Sequence, residues 1–176
     1  MAIFRKGGSH MRILGIDPGL AIVGWAVLDS DRGRLTPVAY GAITTPAHTS
    51  VESRLLIIKN DLETVIDKYA PTEMAIEELF FNTNITTGIT VAEARGVILC
   101  TAHAKGLKIS EYTPLQVKQA VVGYGKAEKH QVIAMVTSIL KLKKAPKPDD
   151  TADAVAIAIC HSQCAGSAIG KYFNQR

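Results

Sequence analysis

The order of apolar and polar positions divides this chain into a strand-rich beginning and a longer part dominated by helices. Short apolar runs separated by glycine-containing turns predict strands that pair as a β-meander, at 12–17, 22–29 and 35–43. From 50 to 69, apolar residues recur every three or four positions, and Thr49 and Glu52 have the spacing of a capping box. This segment is therefore predicted to be a helix.

The remaining segments alternate between strand and helix patterns. Strands are predicted at 73–79 and 108–112, and helices at 89–104, from Thr113-Pro114 onward, at 127–140 and at 149–163. This order indicates an α/β domain whose mixed five-stranded sheet has a three-strand meander and then two parallel strands, flanked by helices. One such domain is expected over 11–165, followed by a C-terminal tail at 166–176.

Positive charge is concentrated in one part of the chain. The first ten residues, MAIFRKGGSH, resemble the remnant of an expression tag, and without their Arg5 and Lys6 the net charge falls from +4 to +2. Between Lys105 and Lys147, by contrast, nine lysines face only two acidic residues. A single lysine is usually a solvated surface residue, but this concentration indicates a polyanionic partner.

The three cysteines, Cys100, Cys160 and Cys164, lie in helix-like apolar stretches. We interpret them as buried thiols, because Cys160, His161 and Cys164 lack the second pair of ligands that a zinc site needs. No apolar run approaches the ~18 residues of a membrane span. A reduced, cytoplasmic protein without a membrane partner is therefore expected.

An aspartate stands at the end of the first predicted strand, in the stretch RILGIDPGL. Asp17-Pro18-Gly19 has the chemistry of an ordinary turn, yet a carboxylate on a rigid strand is also a well-placed ligand for a cation. A strand at 73–79 that runs parallel to the first, and beside it, would bring Glu77 or Glu78 to the same sheet edge. Periodicity does not choose between these two glutamates.

A further acidic segment, PDDTADAVAIA, opens the last predicted helix. Asp149 fits an N-cap, and the helix dipole favours acidic residues in a first turn. Asp150 and Asp153 are three residues apart and share one helix face. Because Asp153 lies beyond the cap and precedes an apolar stretch, its carboxylate needs a partner.

These segments occur in an order that resembles a known protein family. The motifs are GIDPG, AIEE-x-F, QVKQ-x-V-x-G-x-G-x-AEK and D-x-x-DA-x-AIAI, spread from about Met11 to His161. Together they resemble the RuvC family of Holliday-junction endonucleases, which belong to the ribonuclease-H-like superfamily. The first motif alone is weak, whereas the ordered set is specific.

The resemblance implies an acidic active site made of Asp17, Glu77, Asp150 and Asp153, and so favours Glu77 over Glu78. Carboxylates that converge repel one another, by roughly 4 kcal/mol for a pair 4 Å apart at an effective dielectric constant of ~20. Oxygen ligands without a His/Cys set favour Mg²⁺, with Mn²⁺ able to substitute. Two such ions per site would support hydrolysis of a phosphodiester by water, leaving 5′-phosphate and 3′-hydroxyl ends.

DNA contacts are expected beside this acidic set. The resemblance implies contacts from Lys118 and Lys129, and Lys126 lies in the same lysine-rich stretch. It also implies an aromatic wedge at Phe80, with Phe81 beside it, which would stack on bases opened at a branch point. The alternative for adjacent phenylalanines is packing in a core.

The implied substrate is four-way junction DNA, and the implied partner is the RuvA–RuvB branch-migration complex, in recombination and repair. Symmetric cutting of two strands leads us to expect a homodimer, with the helix at 89–104, rich in small and apolar residues, as the favoured interface. An actin-like or sugar-kinase fold would need a much longer chain. A related nuclease acting on RNA and a non-catalytic junction-binding protein are the alternatives.

Overall fold

Five strands form one mixed sheet, with helices on both of its faces, in the computed structural model of this protein. The structure describes residues 10–79 and 85–165, and of residues 85–87 only the backbone. The elements in chain order are β1 (Met11–Asp17), β2 (Ile22–Asp31), β3 (Arg34–Thr44), α1 (Val51–Tyr69), β4 (Glu73–Glu77), α2 (Ile85–Ala104), β5 (Lys108–Tyr112), α3 (Pro114–Val122), α4 (Lys129–Ile139) and α5 (Asp149–Ala165).

The strand order is β3-β2-β1-β4-β5. The first three strands pair antiparallel as a meander, β4 runs parallel to β1, and β5 runs parallel to β4. This arrangement confirms the predicted α/β architecture. Because Ile16 of β1 lies opposite Ile76 of β4, the C-terminal ends of these two parallel strands lie side by side.

Two helix starts differ from the prediction. The capping box of Thr49 and Glu52 does not form, because Ser50 is the N-cap residue and the Thr49 hydroxyl donates to the carbonyl oxygen of Pro46 at 2.9 Å. α2 begins at Ile85 and not at 89. In both cases the spacing of apolar residues located the helix but not its first residue.

Two further boundaries are set by neighbouring elements. β4 ends at Glu77, two residues earlier than predicted, because its partner strand β5 ends at Tyr112 and the chain there turns into α3. α4 begins at Lys129 and not at 127, because Glu128 and Gln131 form a reciprocal capping box.

Alternation along the strands divides the core into two clusters. Ile16 and Ile76 belong to the cluster that packs with α1 and α2. Ala75 belongs to the cluster on the other face, with buried residues of α3, α4 and α5. Side chains two positions apart share a face, so Glu77 follows Ala75, and Asp17 lies on the side opposite Ile16. Both carboxylates are therefore directed to the face that α5 covers.

α5 packs directly on the sheet because both surfaces carry small residues. A Cβ atom added at Gly15 would lie 2.2 Å from the carbonyl oxygen of Ala154, and one added at Gly24 would lie 2.0 Å from that of Asp150. The helix contributes buried small residues along this contact, among them Ala152 and Ala158. The absence of side chains at the two glycines thus fixes how close α5 comes to β1 and β2.

A buried polar network fastens the C-terminal half of α5. His161, which is fully buried, shares a hydrogen bond of 2.8 Å with the Tyr112 hydroxyl through Nδ1 and one of 3.0 Å with Glu73 through Nε2. Burial lowers the pKa of His161, against the opposing effect of Glu73. Both ring nitrogens are engaged, so neither is available to a metal ion. Within the described segments, no helix is long and apolar enough to cross a membrane.

The contact at Gly15 generates a stability prediction. Gly15→Ala should lower the free energy of unfolding by about 2–3 kcal/mol, because the added methyl group meets backbone atoms of α5 that have no room to move. Urea unfolding followed by circular dichroism measures the change. Gly96→Ala is the control: nothing lies within 4 Å of a Cβ at this helical position, and the variant should gain up to about 1 kcal/mol. Equal effects of the two substitutions would contradict the close packing of α5.

Candidate active site

The ends of β1 and β4 bring two acidic residues to one edge of the sheet. Asp17 is the last residue of β1 and Glu77 the last of β4, and the parallel register places them side by side. Both Glu77 and Glu78 border a cleft beside Asp17. In the alternation of the strand, Glu77 and not Glu78 falls on the face that α5 covers.

The first turns of α5 add two more carboxylates. Asp150 and Asp153 lie three residues apart at this end of the helix. Gly24, the partner of Asp17 in the β1–β2 pair, touches the backbone of Asp150, and Asp153 borders a cleft together with Glu77. Three elements therefore bring the four predicted acidic residues into one region.

The pKa of Asp17 responds to the charges of the other three acidic residues, which shows that they lie near it. Burial, and then the negative charges of Asp153, Glu77 and Asp150, raise the pKa of Asp17 to about 8. Burial and the charge of Asp153 also raise the pKa of Glu77. The pKa of Asp153 is raised by burial in spite of a hydrogen bond from Lys129. The cluster therefore holds more negative charge than its surroundings balance.

Lys129 supplies positive charge to this cluster. Its Nζ lies 3.0 Å from Oδ2 of Asp153 and 3.9 Å from Oδ2 of Asp149. Burial acts to lower the pKa of Lys129, but the hydrogen bond to Asp153 and the neighbouring carboxylates outweigh it, so the pKa is raised. Because the capping box fixes the start of α4, its first residue, Lys129, is held at the cleft.

The larger of the two clefts at this site, called the main cleft below, has a volume of about 290 Å³ and is lined by acidic, basic and apolar residues. Lys118 of α3 borders it, and the charge of this lysine opposes part of the rise that burial and Asp153 cause in the pKa of Glu77. The other lining residues are Glu77, Pro114, Val117, Lys129, Val132, Asp153, Ala156 and Ile157. A phosphate group at this position would meet two lysines and the acidic cluster together.

The chemistry of the donor set suits a hard divalent cation. The four acidic residues offer only carboxylate oxygens, which Mg²⁺ prefers. Burial, and then neighbouring carboxylates, raise the pKa values of Asp17, Glu77 and Asp153, and a bound cation would favour their charged forms. Within 10–79 and 85–165, no three Asp, Glu, His or Cys side chains are close enough as they stand to hold one ion. Binding would therefore draw these side chains together and release Asp153 from Lys129.

Arg95 is a residue that the sequence pattern did not single out. This side chain of α2 is only 15% exposed, and its Nε donates to the backbone carbonyl oxygen of Glu77 at 3.4 Å. Its guanidinium also forms an ion pair with Glu111 of β5. Arg95 thus ties α2 to the end of β4. An arginine within a mostly apolar helix was the available signal, but the sequence does not show which strand it contacts.

Of the other predicted DNA contacts, only Lys126 belongs to the described residues. Lys126 is exposed in the loop between α3 and α4 and does not border the main cleft. Phe80 and Phe81 lie outside the described residues, so the choice between a wedge and a core position stays a prediction.

Comparison with known proteins relates this geometry to a family. The family model of the crossover junction endodeoxyribonuclease RuvC matches residues 13–161. The RuvC protein of Heliobacterium modesticaldum is 59% identical over 150 residues, which cover 85% of this chain and 93% of that protein. That of Clostridioides difficile is 53% identical over 152 residues, which cover 86% of this chain and 90% of that protein.

A solved structure gives the same result. Thermus thermophilus RuvC in complex with a Holliday junction substrate superposes with a TM-score of 0.83 at 34% identity, covering 89% of this chain and 95% of that one. The strand order of the sheet and the acidic residues at the ends of β1 and β4 define a ribonuclease-H-like nuclease. The chain belongs to the RuvC family of crossover junction endodeoxyribonucleases, whose members are metal-dependent.

The raised pKa of Asp17 generates a prediction for the metal-free protein. The ordinary pKa is 3.8 and the native value about 8, so the native state keeps a proton that the unfolded chain loses. Stability therefore falls as the pH rises from about 4 to about 8. Asp17→Asn removes this penalty. In EDTA at pH 8.5 it should be more stable than the wild type by about 1–3 kcal/mol, with little difference at pH 4.

Thermal unfolding across this pH range measures the effect. Asp31→Asn, at a site where the side chain is 60% exposed, is the control and should change little. Mg²⁺ should then raise the melting temperature of the wild type more than that of Asp17→Asn, because a ligand stabilises the state that binds it. A variant less stable than the wild type at pH 8.5 would contradict the repulsion inferred for this cluster.

Proposed function

We propose that this protein resolves four-way (Holliday) DNA junctions by paired, symmetric nicks, through metal-dependent hydrolysis of phosphodiester bonds, in recombination and DNA repair. The observation that carries the proposal is the acidic cluster between β1, β4 and α5, bordered by two lysines, in a chain of the RuvC family. The similarity to the Thermus thermophilus protein, which was solved with a Holliday junction substrate, supports the choice of substrate.

In this proposal Asp17, Glu77, Asp150 and Asp153 hold two Mg²⁺ ions per active site, and Mn²⁺ can substitute. Divalent cations in such a site supply Lewis acidity to an attacking water and to the leaving 3′-oxygen. The carboxylates hold the cations on rigid elements, so that little reorganisation is needed during the reaction. The products carry 5′-phosphate and 3′-hydroxyl ends, and no side chain acts as a nucleophile.

The lysines of the cleft complement the acidic residues. Lys118 and Lys129 would contact the phosphate to be cleaved, since both border the cleft that Glu77 and Asp153 line. Lys129 would exchange its ion pair with Asp153 for this phosphate once a cation neutralises the carboxylate. Lys126 would bind the strand outside the cleft. Phe80, with Phe81 beside it, would open bases at the branch point.

A homodimer would present two such sites to a substrate with near-twofold symmetry. We propose α2 as a main part of the interface. Ile89 of this helix is 53% exposed and Leu56 of the adjacent α1 is 56% exposed, so apolar surface is available at this side of the molecule. Arg95 would connect such an interface to Glu77. The RuvA–RuvB complex as a partner and the cytoplasm as the location follow from the family resemblance.

Substitution of the acidic residues tests the proposal. Asp17→Asn, Glu77→Gln and Asp153→Asn should each reduce junction cleavage in Mg²⁺ by at least about a thousandfold while junction binding is kept, because each removes a proposed cation ligand and a negative charge. A synthetic four-way junction with gel-resolved products gives both readouts. Asp150→Asn should cause a serious but smaller loss.

Glu78→Gln is the matched control, since Glu78 directly follows Glu77 and the alternation of β4 assigns it to the other face of the sheet. It should cut at nearly the wild-type rate, and EDTA should abolish cutting by either protein. Linear duplex and an RNA/DNA hybrid serve as competing substrates. Near-native cleavage by Asp17→Asn, or a preference for the hybrid over the junction, would contradict the proposed function.

A further inference from the structure

An exposed tyrosine lies in the loop between α3 and α4, outside the acidic cluster. Tyr124 is 46% exposed and stands between Gly123 and Gly125. Gly123 has φ +92°, a left-handed conformation that ends α3 and that other residues rarely adopt. Nε2 of Gln119 donates to the carbonyl oxygen of Gly123 at 2.6 Å. The start of the loop is therefore held in one conformation.

The hydroxyl group of Tyr124 holds its ring in place. Oη donates to Oε1 of Gln131 at 2.8 Å, and the same oxygen accepts the backbone N–H of Glu128 at 2.8 Å. Gln131 is part of the capping box of α4, so the ring is tied to the helix start that carries Lys129. An exposed ring that is already ordered loses little side-chain entropy when it binds a ligand.

Leu115 extends this surface toward the acidic cleft. It is 63% exposed, and its side chain lies against Gly125, since a Cβ atom added at Gly125 would be only 2.1 Å from Cδ1 of Leu115. The preceding residue, Pro114, lines the main cleft and the cleft beside Asp17. We call Leu115 and Tyr124 the apolar ledge, because they offer exposed apolar surface at the margin of the candidate active site.

Positive charge borders the apolar ledge. Lys118 lies three residues after Leu115 on α3, Lys126 is exposed two residues after Tyr124, and Lys129 begins α4. The acidic Glu128 lies among them and is paired with His130 at 3.2 Å. Lysines beside an exposed aromatic ring fit a nucleic-acid strand, whose phosphates meet the lysines while a base stacks on the ring.

We propose that the apolar ledge is a nucleotide subsite, which binds one unpaired nucleotide of the substrate strand next to the cleaved phosphate. The base stacks on the Tyr124 ring, and Leu115 contacts the sugar. A paired base is covered by its neighbours, so only a nucleotide opened near the branch point can offer its face. This subsite rests on the proposed junction-cleaving function and adds a strand contact to it.

Paired changes in protein and DNA test the subsite. A series of four-way junctions carries one abasic residue at each nucleotide around the cleavage position, and Ca²⁺ replaces Mg²⁺ to allow binding with little cutting. The dissociation constants of the wild type, Tyr124→Ala and Tyr124→Phe are measured by fluorescence anisotropy. On the intact junction, Tyr124→Ala should bind about tenfold more weakly than the wild type.

At the position in this series whose base stacks on Tyr124, removal of the base should weaken binding by the wild type and by Tyr124→Phe about tenfold. The same removal should hardly change binding by Tyr124→Ala. Tyr40→Ala, at a tyrosine of β3 that is 38% exposed, is the control and should behave as the wild type. Equal losses by wild type and Tyr124→Ala at every position would overturn the subsite. So would a loss in Tyr124→Phe as large as in Tyr124→Ala, since the hydroxyl and not the ring would then matter.

Melting temperatures confirm that the variants are folded. If the wild type binds and cuts the intact junction, but removal of a base weakens binding by the wild type and by Tyr124→Ala equally at every position, only the subsite is contradicted. A wild type that neither binds nor cuts the intact junction contradicts the proposed function together with the subsite.

Discussion

Repulsion among carboxylates in one cleft is the interaction around which this structure is arranged. β1, β4 and α5 each bring acidic groups to the same place, and burial together with the charges of the neighbouring carboxylates raises the pKa of Asp17 to about 8. The helix as a whole cannot move away from the sheet to relieve this repulsion, because its backbone rests on Gly15 and Gly24 with no space for side chains there. Lys129 balances part of this charge, and a bound divalent cation would balance more of it.

Lys129 is the cation that the chain itself provides. Its ammonium group pairs with Asp153 at 3.0 Å, while the capping box of Glu128 and Gln131 holds the start of its helix. In the proposed function Asp153 would bind a divalent ion instead, which would leave the lysine available to a phosphate. One side chain would in this way stabilise the metal-free protein and later contact the substrate.

Supporting contacts on both faces of the sheet hold the elements that carry the acidic residues. On one face Arg95 of α2 binds the carbonyl oxygen of Glu77, and on the other the network of His161, Tyr112 and Glu73 joins α5 to β4 and β5. These contacts restrict the elements that carry the carboxylates. A site whose ligands repel one another needs such support, because displacements of the order of 1 Å change both cation binding and the rate of reaction.

Much of the fold and part of the site followed from the sequence. The meander, the parallel strand at 73–79 and the acidic helix start were predictable, because apolar spacing and the position of Asp17 at a strand end are local signals. Residue spacing did not choose between Glu77 and Glu78, since equal polarity on both sides of a short strand leaves its orientation open, and only the family resemblance favoured Glu77. The contact of Arg95 with Glu77 and the tie between Tyr124 and Gln131 depend on tertiary packing, which residue spacing does not record.

Binding of Mn²⁺ to the folded protein tests the central claim, that cations balance the carboxylate cluster, most directly. Electron paramagnetic resonance, which distinguishes free from bound Mn²⁺, would follow a titration of the wild type, Glu77→Gln, Glu78→Gln and Lys129→Met. We expect two bound ions per chain in the wild type and in Glu78→Gln, at least one fewer in Glu77→Gln, and tighter binding in Lys129→Met, where the competing ammonium group is gone. Equal binding by all four proteins would contradict it.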